Sequence, residues 1–346
     1  MEGGRRMLEI DGSFGEGGGQ VLRSAVALAM VTGTPVAVRN VRARRRRPGL
    51  MRQHLTAVRA AAEICGARVA GDEVGSTSLE LTPGPVASGD YRFAVGTAGS
   101  VTLVLQTVLP ALLTASGPSR LVLEGGTHNP MAPPFPFLAD TFLPLIERMG
   151  PRLTATLERP GFYPAGGGRL RVEVEPCERL RGIELHERGA IVERRATALV
   201  ARLPRHVGER ELRQVREKLG WSDSELVLEE IEDSQGPGNV LVLRLAAEAL
   251  TETFVGFGEL GVKAEAVARN AIRELKRYLK AEVPVGEHLA DQLLLPLALA
   301  GGGGFTTLPL SRHATTQIEL IQRFLDVRFD VERPASHRAE VRVAAR

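Results

Sequence analysis

One module recurs along this chain, and the recurrence limits the fold more than any single residue does. Its order is strand, glycine-rich turn, helix, strand, loop, helix, strand, turn, strand. In the first copy MLEID is a strand and DGSFGEGGGQ the turn. VLRSAVALAMVTG then forms a helix and PVAVRNV a strand. A second helix near Arg52–Cys65 stops at Gly66, and the strands ARVAG and SLELTPG close the copy. The second copy runs YRFAV, GTAGS, VTLVLQTVLPALL, RLVLEG, a helix through FLADTFLPLIERMG, then RLTATLE and GRLRVEVE. A third copy ends the chain: HLADQLLLPLALA, FTTLPL, TTQIELIQRFL, VRFDV and AEVRVAA. Each helix carries apolar residues at three- and four-residue spacing, so one face packs down on a sheet. A helix-on-sheet layer leaves apolar surface exposed unless neighbouring copies share it, so three copies are expected to close around a common core.

The third copy is interrupted. Its first strand is expected at RGIELHE, yet its first helix begins only near His288. Between them lie IVERRATALVARL, the helix ERELRQVREKLG, the strands ELVLEEIE and NVLVLRLAAE, and the helix VKAEAVARNAIRELKRYL. DSQGPGN marks a turn between those two strands. The expected architecture is therefore α/β (α+β): three repeated βαβαββ units around one core, residues 1–187 and 281–346, with a smaller inserted α/β domain over 188–280.

An apolar fraction of 43% in 346 residues supports a sizeable core. With 44 basic and 41 acidic side chains the net charge is only +3, so any affinity for nucleic acid must come from local patches. No apolar run reaches the about 18 residues of a membrane span. Met1–Met7 carries arginines but no apolar stretch with a cleavage site, unlike a signal peptide. Cys65 and Cys177 have no metal spacing, and Cys65 falls on the apolar face of AAAEIC as a buried thiol. Together these predict a reducing, cytoplasmic setting.

Only four lysines occur: Lys218, Lys263, Lys276 and Lys280. None sits in a phosphate-binding G-x-x-x-x-G-K-[ST] loop, and none precedes x-Asp-Gly, the pattern around lysines that ligases adenylate. If this chain handles ATP covalently, histidine is the expected carrier, and His313 in SRHATTQ stands at a helix start just after a strand. A lone histidine in that position is, on base rates, a polar cap.

GEGGGQ, Gly15–Gln20, follows a strand and opens a helix, where backbone N–H groups can approach an anion. It departs from the strict dinucleotide fingerprint. A carboxylate beside phosphate repels unless a cation lies between, so Glu16 is a candidate Mg²⁺ ligand; the alternative is a charge favoured by the helix dipole. Arg42, Arg44, Arg45, Arg46, Arg47 and Arg52 form the densest basic stretch, suited to phosphate of RNA or a triphosphate. Few aromatics accompany it, against a base-stacking platform. The proline-rigid loop THNPMAPPFP holds the equivalent place in copy two, and His313 in copy three. Asp291, in the first turn after HLADQ begins, suits a metal or ribose, or again the helix dipole.

Taken together, DGSFGEGGGQVLRSA, RPGLMRQHLTAVRAAAEICGA, GDYRFAVGTAGSVTLVLQTVLPAL, GGTHNPMAPP, GFYPAGGG, LPRHVGERE, SQGPGN and HLADQLLLPLALAGGGGFT followed by SRH closely resemble the RNA 3′-terminal phosphate cyclase family. The resemblance runs over nearly the whole chain, insert included. It implies three βαβαββ units, each similar to the C-terminal domain of bacterial translation initiation factor three, plus an insert. It implies conversion of an RNA 3′-phosphate to a 2′,3′-cyclic phosphate with ATP and Mg²⁺ or Mn²⁺. In that scheme a histidine takes AMP from ATP, passes it to the RNA phosphate, and the 2′-OH displaces it. Carried over by residue, His313 is the adenylated nucleophile and Glu16 the metal ligand. Arg23, Arg42, Arg45 and Gln53 match contacts to phosphates and metal-site groups. Gln106, Pro133, Asp291 and Gln292 line the nucleotide pocket. His288 stands where some relatives carry a tyrosine that stacks on adenine. Arg44, Arg46 and Arg47 exceed the family's usual charge.

Three other readings compete. A non-catalytic cyclase-like protein of RNA processing would lack the histidine of SRH. An enolpyruvyl transferase, built from similar repeats, would be longer and richer in lysine at its anion sites. A plain RNA-binding scaffold would not turn over ATP. The insert's charged helices suit either a homodimer contact or a guide for RNA.

Overall fold

The computed structural model describes residues 6–346. The reading of the N-terminal Met1–Met7 segment falls largely outside that range.

Copy one contains β1 (Leu8–Asp11), α1 (Gly19–Thr32), β2 (Val36–Arg39), α2 (Arg52–Cys65), β3 (Arg68–Ala70) and β4 (Leu79–Thr82). Its sheet has the order β1-β2-β4-β3. β1 and β2 are parallel, with Leu8 opposite Val36, because α1 makes the crossover. β4 runs antiparallel to both β2 and β3.

The same order returns twice. Copy two pairs β5 (Asp90–Ala94), β6 (Ser119–Gly125), β8 (Gly168–Glu175) and β7 (Arg152–Arg159) as β5-β6-β8-β7, with α3 (Val101–Leu112) as its first crossover. Its second helical segment is broken into α4 (Phe135–Phe137), a wide π turn over Leu138–Phe142, and α5 (Leu143–Arg148). Continuous periodicity from 137 to 150 hides that widened turn. Copy three pairs β9 (Glu184–Leu185), β14 (Gly302–Thr307), β16 (Arg338–Ala345) and β15 (Val327–Ala335) in the same order. Its opening strand keeps only two paired residues of the expected RGIELHE.

Between β9 and the rest of copy three lies a sheet of order β11-β10-β12-β13. Its elements are β10 (Ile191–Ala201), α6 (His206–Leu219), β11 (Leu226–Ile231), β12 (Gly238–Ala247), β13 (Thr251–Phe257) and α7 (Ala264–Ala281). The strand β13 was not expected from sequence. Copy three then resumes with α8 (Glu287–Ala300), β14 (Gly302–Thr307), α9 (Arg312–Phe324), β15 (Val327–Ala335) and β16 (Arg338–Ala345). β14 begins inside the glycine run and ends before Leu308, earlier than the expected FTTLPL. Glycines there are tolerated because Gly303 lies against the Ile183 backbone and the Leu297 side chain, where a Cβ would collide.

The helices meet in the middle. α1 packs on α2, α3 and α9, α2 on α3, and α8 on α9. Val21, Leu28, Leu105, Leu109, Leu293 and Leu297 share one buried cluster drawn from all three copies. The amphipathic pattern explains α2, which buries Ala57, Val58, Ala61 and Ile64 on one face and ends at Gly66 in the left-handed region. The insert has its own cluster, with Leu212, Val215, Trp221, Leu243, Ile272 and Tyr278. It seats on copy two through two turns already conspicuous in sequence. Phe162 of GFYPAGGG lies against Gly238 of SQGPGN, where any Cβ would strike the ring, and stacks on His128 at 5.3 Å. Among the described residues no helix is long and apolar enough to cross a membrane.

Candidate active site

A cavity of about 660 Å³ opens where the three copies and the insert meet. Copy one contributes the GEGGGQ turn and the arginine loop, copy two α3 and the Met131–Pro134 segment. Copy three adds the starts of α8 and α9, and the insert adds β13 and Glu274. Glu16, Arg23, Arg42, Arg45, Gln53, Gln106, Pro133, His288, Asp291, Gln292 and His313 all line it. Sequence spacing alone separates them by up to 297 residues, so their convergence is a property of the repeat packing.

α9 presents the histidine. Ser311 caps it: the hydroxyl accepts from the Ala314 N–H at 2.9 Å and donates to Asp291 Oδ1 at 2.6 Å. His313 is the second helical residue and its side chain is half exposed to the cleft. Its Nδ1 lies 2.7 Å from Gln20 Oε1 and 3.9 Å from Glu16 Oε2. One turn on, the Thr316 hydroxyl accepts from the Glu16 N–H at 3.1 Å, so α9 also holds the glycine-rich turn. Burial pushes the Asp291 carboxyl up to about 7, against the Ser311 hydrogen bond that lowers it.

Glu16 is held from both sides. Its side chain is 4% exposed, and Oε2 pairs with Arg45 at 2.6 Å. Oε1 is buried and has no hydrogen-bond partner among the described residues. An orphaned carboxylate oxygen facing a polar cleft fits a hard divalent cation. Among the described residues no group of three or more His, Cys, Asp or Glu could hold a metal. Glu16 would therefore share the ion with phosphate oxygens and water, the usual arrangement for Mg²⁺.

The basic groups differ in role. Arg23 lies deep, and desolvation lowers its guanidinium to about 10, with Glu16 opposing the shift; it stays charged. Arg42 is lowered by burial and by Arg45 beside it. Its Nη1 donates to the Arg47 and Gly49 carbonyls at 2.8 and 2.7 Å, so it folds the loop as well as facing the cleft. Gln53 accepts from the Ser100 N–H at 3.0 Å, joining α2 to the start of α3. Gln106 donates to Gln292 across copies two and three. These two glutamines each precede a helix-interior proline by four residues, Pro110 and Pro296. Each proline lacks the N–H that would bond the glutamine's carbonyl. His288 is exposed at the start of α8, and Pro133 is half-buried.

Several lining residues escaped the sequence reading. His54 is 4% exposed, and burial with Arg23 and Arg42 nearby drives it down to about 3. Its Nδ1 accepts from the Met51 N–H at 3.2 Å, which puts the proton on Nε2, facing Gly19. Gln20 and Gln317 were also missed, although Gln20 ends the GEGGGQ motif. Thr253, Val255 and Phe257 reach the cleft from alternate positions of β13. That alternation was the available signal.

A family description, RNA 3′-terminal phosphate cyclase, matches residues 14–331. A protein of that name from Koribacter versatilis is 54% identical over 328 residues, covering 95% of this chain and 92% of the relative. One from Pseudomonas fluorescens is 54% identical over 330 residues, covering 95% of each. One from Salmonella typhimurium is 52% identical over 327 residues, covering 94% and 96%. With its three-copy fold, its intact GEGGGQ turn and a match spanning all but its two ends, this chain belongs to the RNA 3′-terminal phosphate cyclase family.

Proposed function

We propose that this chain uses ATP to convert an RNA 3′-terminal phosphate into a 2′,3′-cyclic phosphodiester through a covalent histidine–AMP intermediate. The observation that carries the reading is the half-exposed imidazole of His313 beside Glu16, in a cleft walled by Arg23 and Arg42. Neutral imidazole is a competent nucleophile near pH 7. It attacks the α-phosphorus of ATP, an N–P bond forms, and pyrophosphate leaves with the bond electrons. The RNA 3′-phosphate then takes AMP from the ring, breaking that N–P bond. The vicinal 2′-OH, already held close, attacks the activated 3′-phosphorus, loses its proton and displaces AMP.

Arg23, Arg42 and Arg45 are assigned to the phosphates, whose charge must be neutralised in the transition state. Mg²⁺ or Mn²⁺ held by Glu16 supplies further neutralisation when bound. Gln53 supports the phosphate side of the cleft. Gln106, Pro133, Asp291 and Gln292 are assigned to the nucleotide, with His288 stacking on the base. The residues 1–187 and 281–346 form the catalytic core of this reading, and 188–280 an accessory domain whose β13 completes the cleft. The free thiols Cys65 and Cys177 of the core suit a cytoplasmic setting. The charged outer faces of α6 and α7 suit a homodimer contact.

The test mixes the purified chain with Mg²⁺ and ATP labelled at the α-phosphate. An acid-labile, alkali-stable label mapping to His313 is expected, and His313→Ala should carry none while melting as the parent does. Glu16→Ala should raise the metal concentration for half-maximal labelling by about 10- to 100-fold. No label with any metal tried would leave the non-catalytic RNA-processing reading.

A further inference from the structure

Behind His313 lies a chain of polar groups, Gln20 half-buried and Ser24 and Gln317 buried, that the reaction scheme does not use. Gln20 and Ser24 are four residues apart on α1; His313 and Gln317 are four apart on α9. Each pair shares a helix face, so two helices from different copies meet through a short polar ladder. Ser24 Oγ donates to Gln317 Oε1 at 2.6 Å, and Gln20 Nε2 donates to the same oxygen at 3.2 Å. Ser24 and Gln317 are 7% and 6% exposed. The other end of the Gln20 amide, Oε1, faces His313 Nδ1 at 2.7 Å.

An amide has one donating and one accepting end. With Gln317 Oε1 receiving two donors, Gln20 must turn Nε2 inward and Oε1 toward the imidazole. An oxygen only accepts, so Nδ1 carries the ring proton. Flipping both amides together would also satisfy the ladder and would leave Nδ1 bare. Glu16, whose charge Arg45 shares at 2.6 Å, biases the choice toward the first arrangement in the ligand-free protein. Its Oε2 lies 3.9 Å from Nδ1, and a carboxylate favours the N–H edge over a lone pair there.

We propose that Ser24, Gln317 and Gln20 are positioning residues that hold His313 as its Nδ1–H tautomer and leave the Nε2 lone pair free for the α-phosphorus. This rests on His313 being the AMP carrier. When Nε2 forms its bond to phosphorus and pyrophosphate departs, the ring becomes cationic with its proton still on Nδ1. The hydrogen bond to Gln20 Oε1 therefore strengthens along the reaction. An interaction stronger in the transition state than in the ground state accelerates the step. The arrangement uses a neutral amide where serine hydrolases use a carboxylate to orient histidine.

The test uses the full chain labelled with ¹⁵N-histidine and two readouts. Long-range ¹H–¹⁵N spectra of the ligand-free protein report which ring nitrogen carries the proton, with His313→Ala assigning the signal. Single-turnover transfer from α-labelled ATP reports the rate. The parent should show Nδ1–H. Gln20→Leu and Gln317→Leu should show mixed tautomers and lose about 10- to 100-fold in rate. Gln20→Glu, which can only accept, should keep the Nδ1–H form and most of the rate. Ser24→Ala removes a single hydroxyl and should lose rate in the same direction, which keeps the test readable if leucine at 317 disturbs packing. A bare Nδ1 in the parent, or Gln20→Glu as slow as Gln20→Leu, would overturn the proposal. Unchanged tautomer and rate in both leucine variants, with His313 still labelled, would also overturn it. Label retained by His313→Ala would instead remove the carrier reading on which it rests.

Discussion

At Gly19 a single methyl group would collide with the side chains packed against the glycine-rich turn. A Cβ there would lie 2.2 Å from His54 Nε2 and 2.8 Å from Arg23 Nη1. Both neighbours must give way: His54 is buried, so its ring tilts in place, while the Arg23 guanidinium can swing into the cleft it lines. Gly18 is tight for a related reason, with Arg45 and both Glu16 carboxylate oxygens within 2.9 Å of its Cβ position. Gly19 begins α1, where alanine is a good helix former, so Gly19→Ala is expected to fold normally. It should displace the His54 and Arg23 donors and cost about 100-fold in adenylation rate. Labelled-ATP transfer and a melting curve on the same sample check both halves. The sequence pattern marked GEGGGQ as an anion turn, but only contact distances assign Gly19 to His54 and Gly18 to Glu16.

Helix α9 makes its contacts to the glycine-rich turn and to α1 and α8 through its cap and first six residues. Ser311 caps it, His313 faces Gln20, Thr316 holds the Glu16 backbone and Gln317 anchors Gln20. Spacings of three and four residues place His313, Thr316 and Gln317 on one face. Ser311 also donates to Asp291, so the cap joins α9 to α8. Ser311→Ala should lower stability by about 1 kcal/mol from the lost cap. It should slow adenylation as well, since the first turn carries His313. Ser311→Asn, an equally good cap, should restore stability, as denaturant melts would show. The SRH motif pointed to a helix start in the sequence. Its link to Asp291, twenty residues earlier, depends on α8 and α9 packing as neighbours.

Across the whole molecule, buried carboxyls tie the insert to its sheet and to the core. Glu252 of β13 accepts from the Gly286 N–H at the start of α8, and burial raises it to about 8. Glu211 of α6 accepts from Asn239 at 3.0 Å, and burial raises it to about 7. Both keep their protons in the fold after an unfolded carboxyl, at about 4.3, has lost its own. Their stabilising contribution is complete below about 4.3 and declines as pH rises through 7 and 8. Stability should therefore fall between pH 5 and pH 8. Glu252→Gln, which keeps the acceptor without the titration, should flatten that fall and raise Tm at pH 8 by about 2–4 °C. Melting curves at pH 5 and pH 8 decide it, and an identical pH slope in parent and variant would count against the assignment.

The repeated order of strands and helices was legible in the chain because binary pattern and turn residues are local properties. Three copies, an interrupted third and an extra α/β segment follow from period and punctuation alone. The GEGGGQ turn, the arginine loop and His313 stood out together, because each alone has an ordinary structural use but the arginine loop and His313 hold equivalent places in the repeats. The tertiary structure decided the rest. It alone brings three loops and a strand of the insert to one cleft, because the shared helical core sets their relative positions. It alone shows that Arg42 and Gln53 also bind backbone, that one Glu16 oxygen lacks a partner, and that Gln20 and Gln317 stand behind His313. Burial and hydrogen-bond direction depend on neighbours distant in sequence, and no local pattern of residues encodes them.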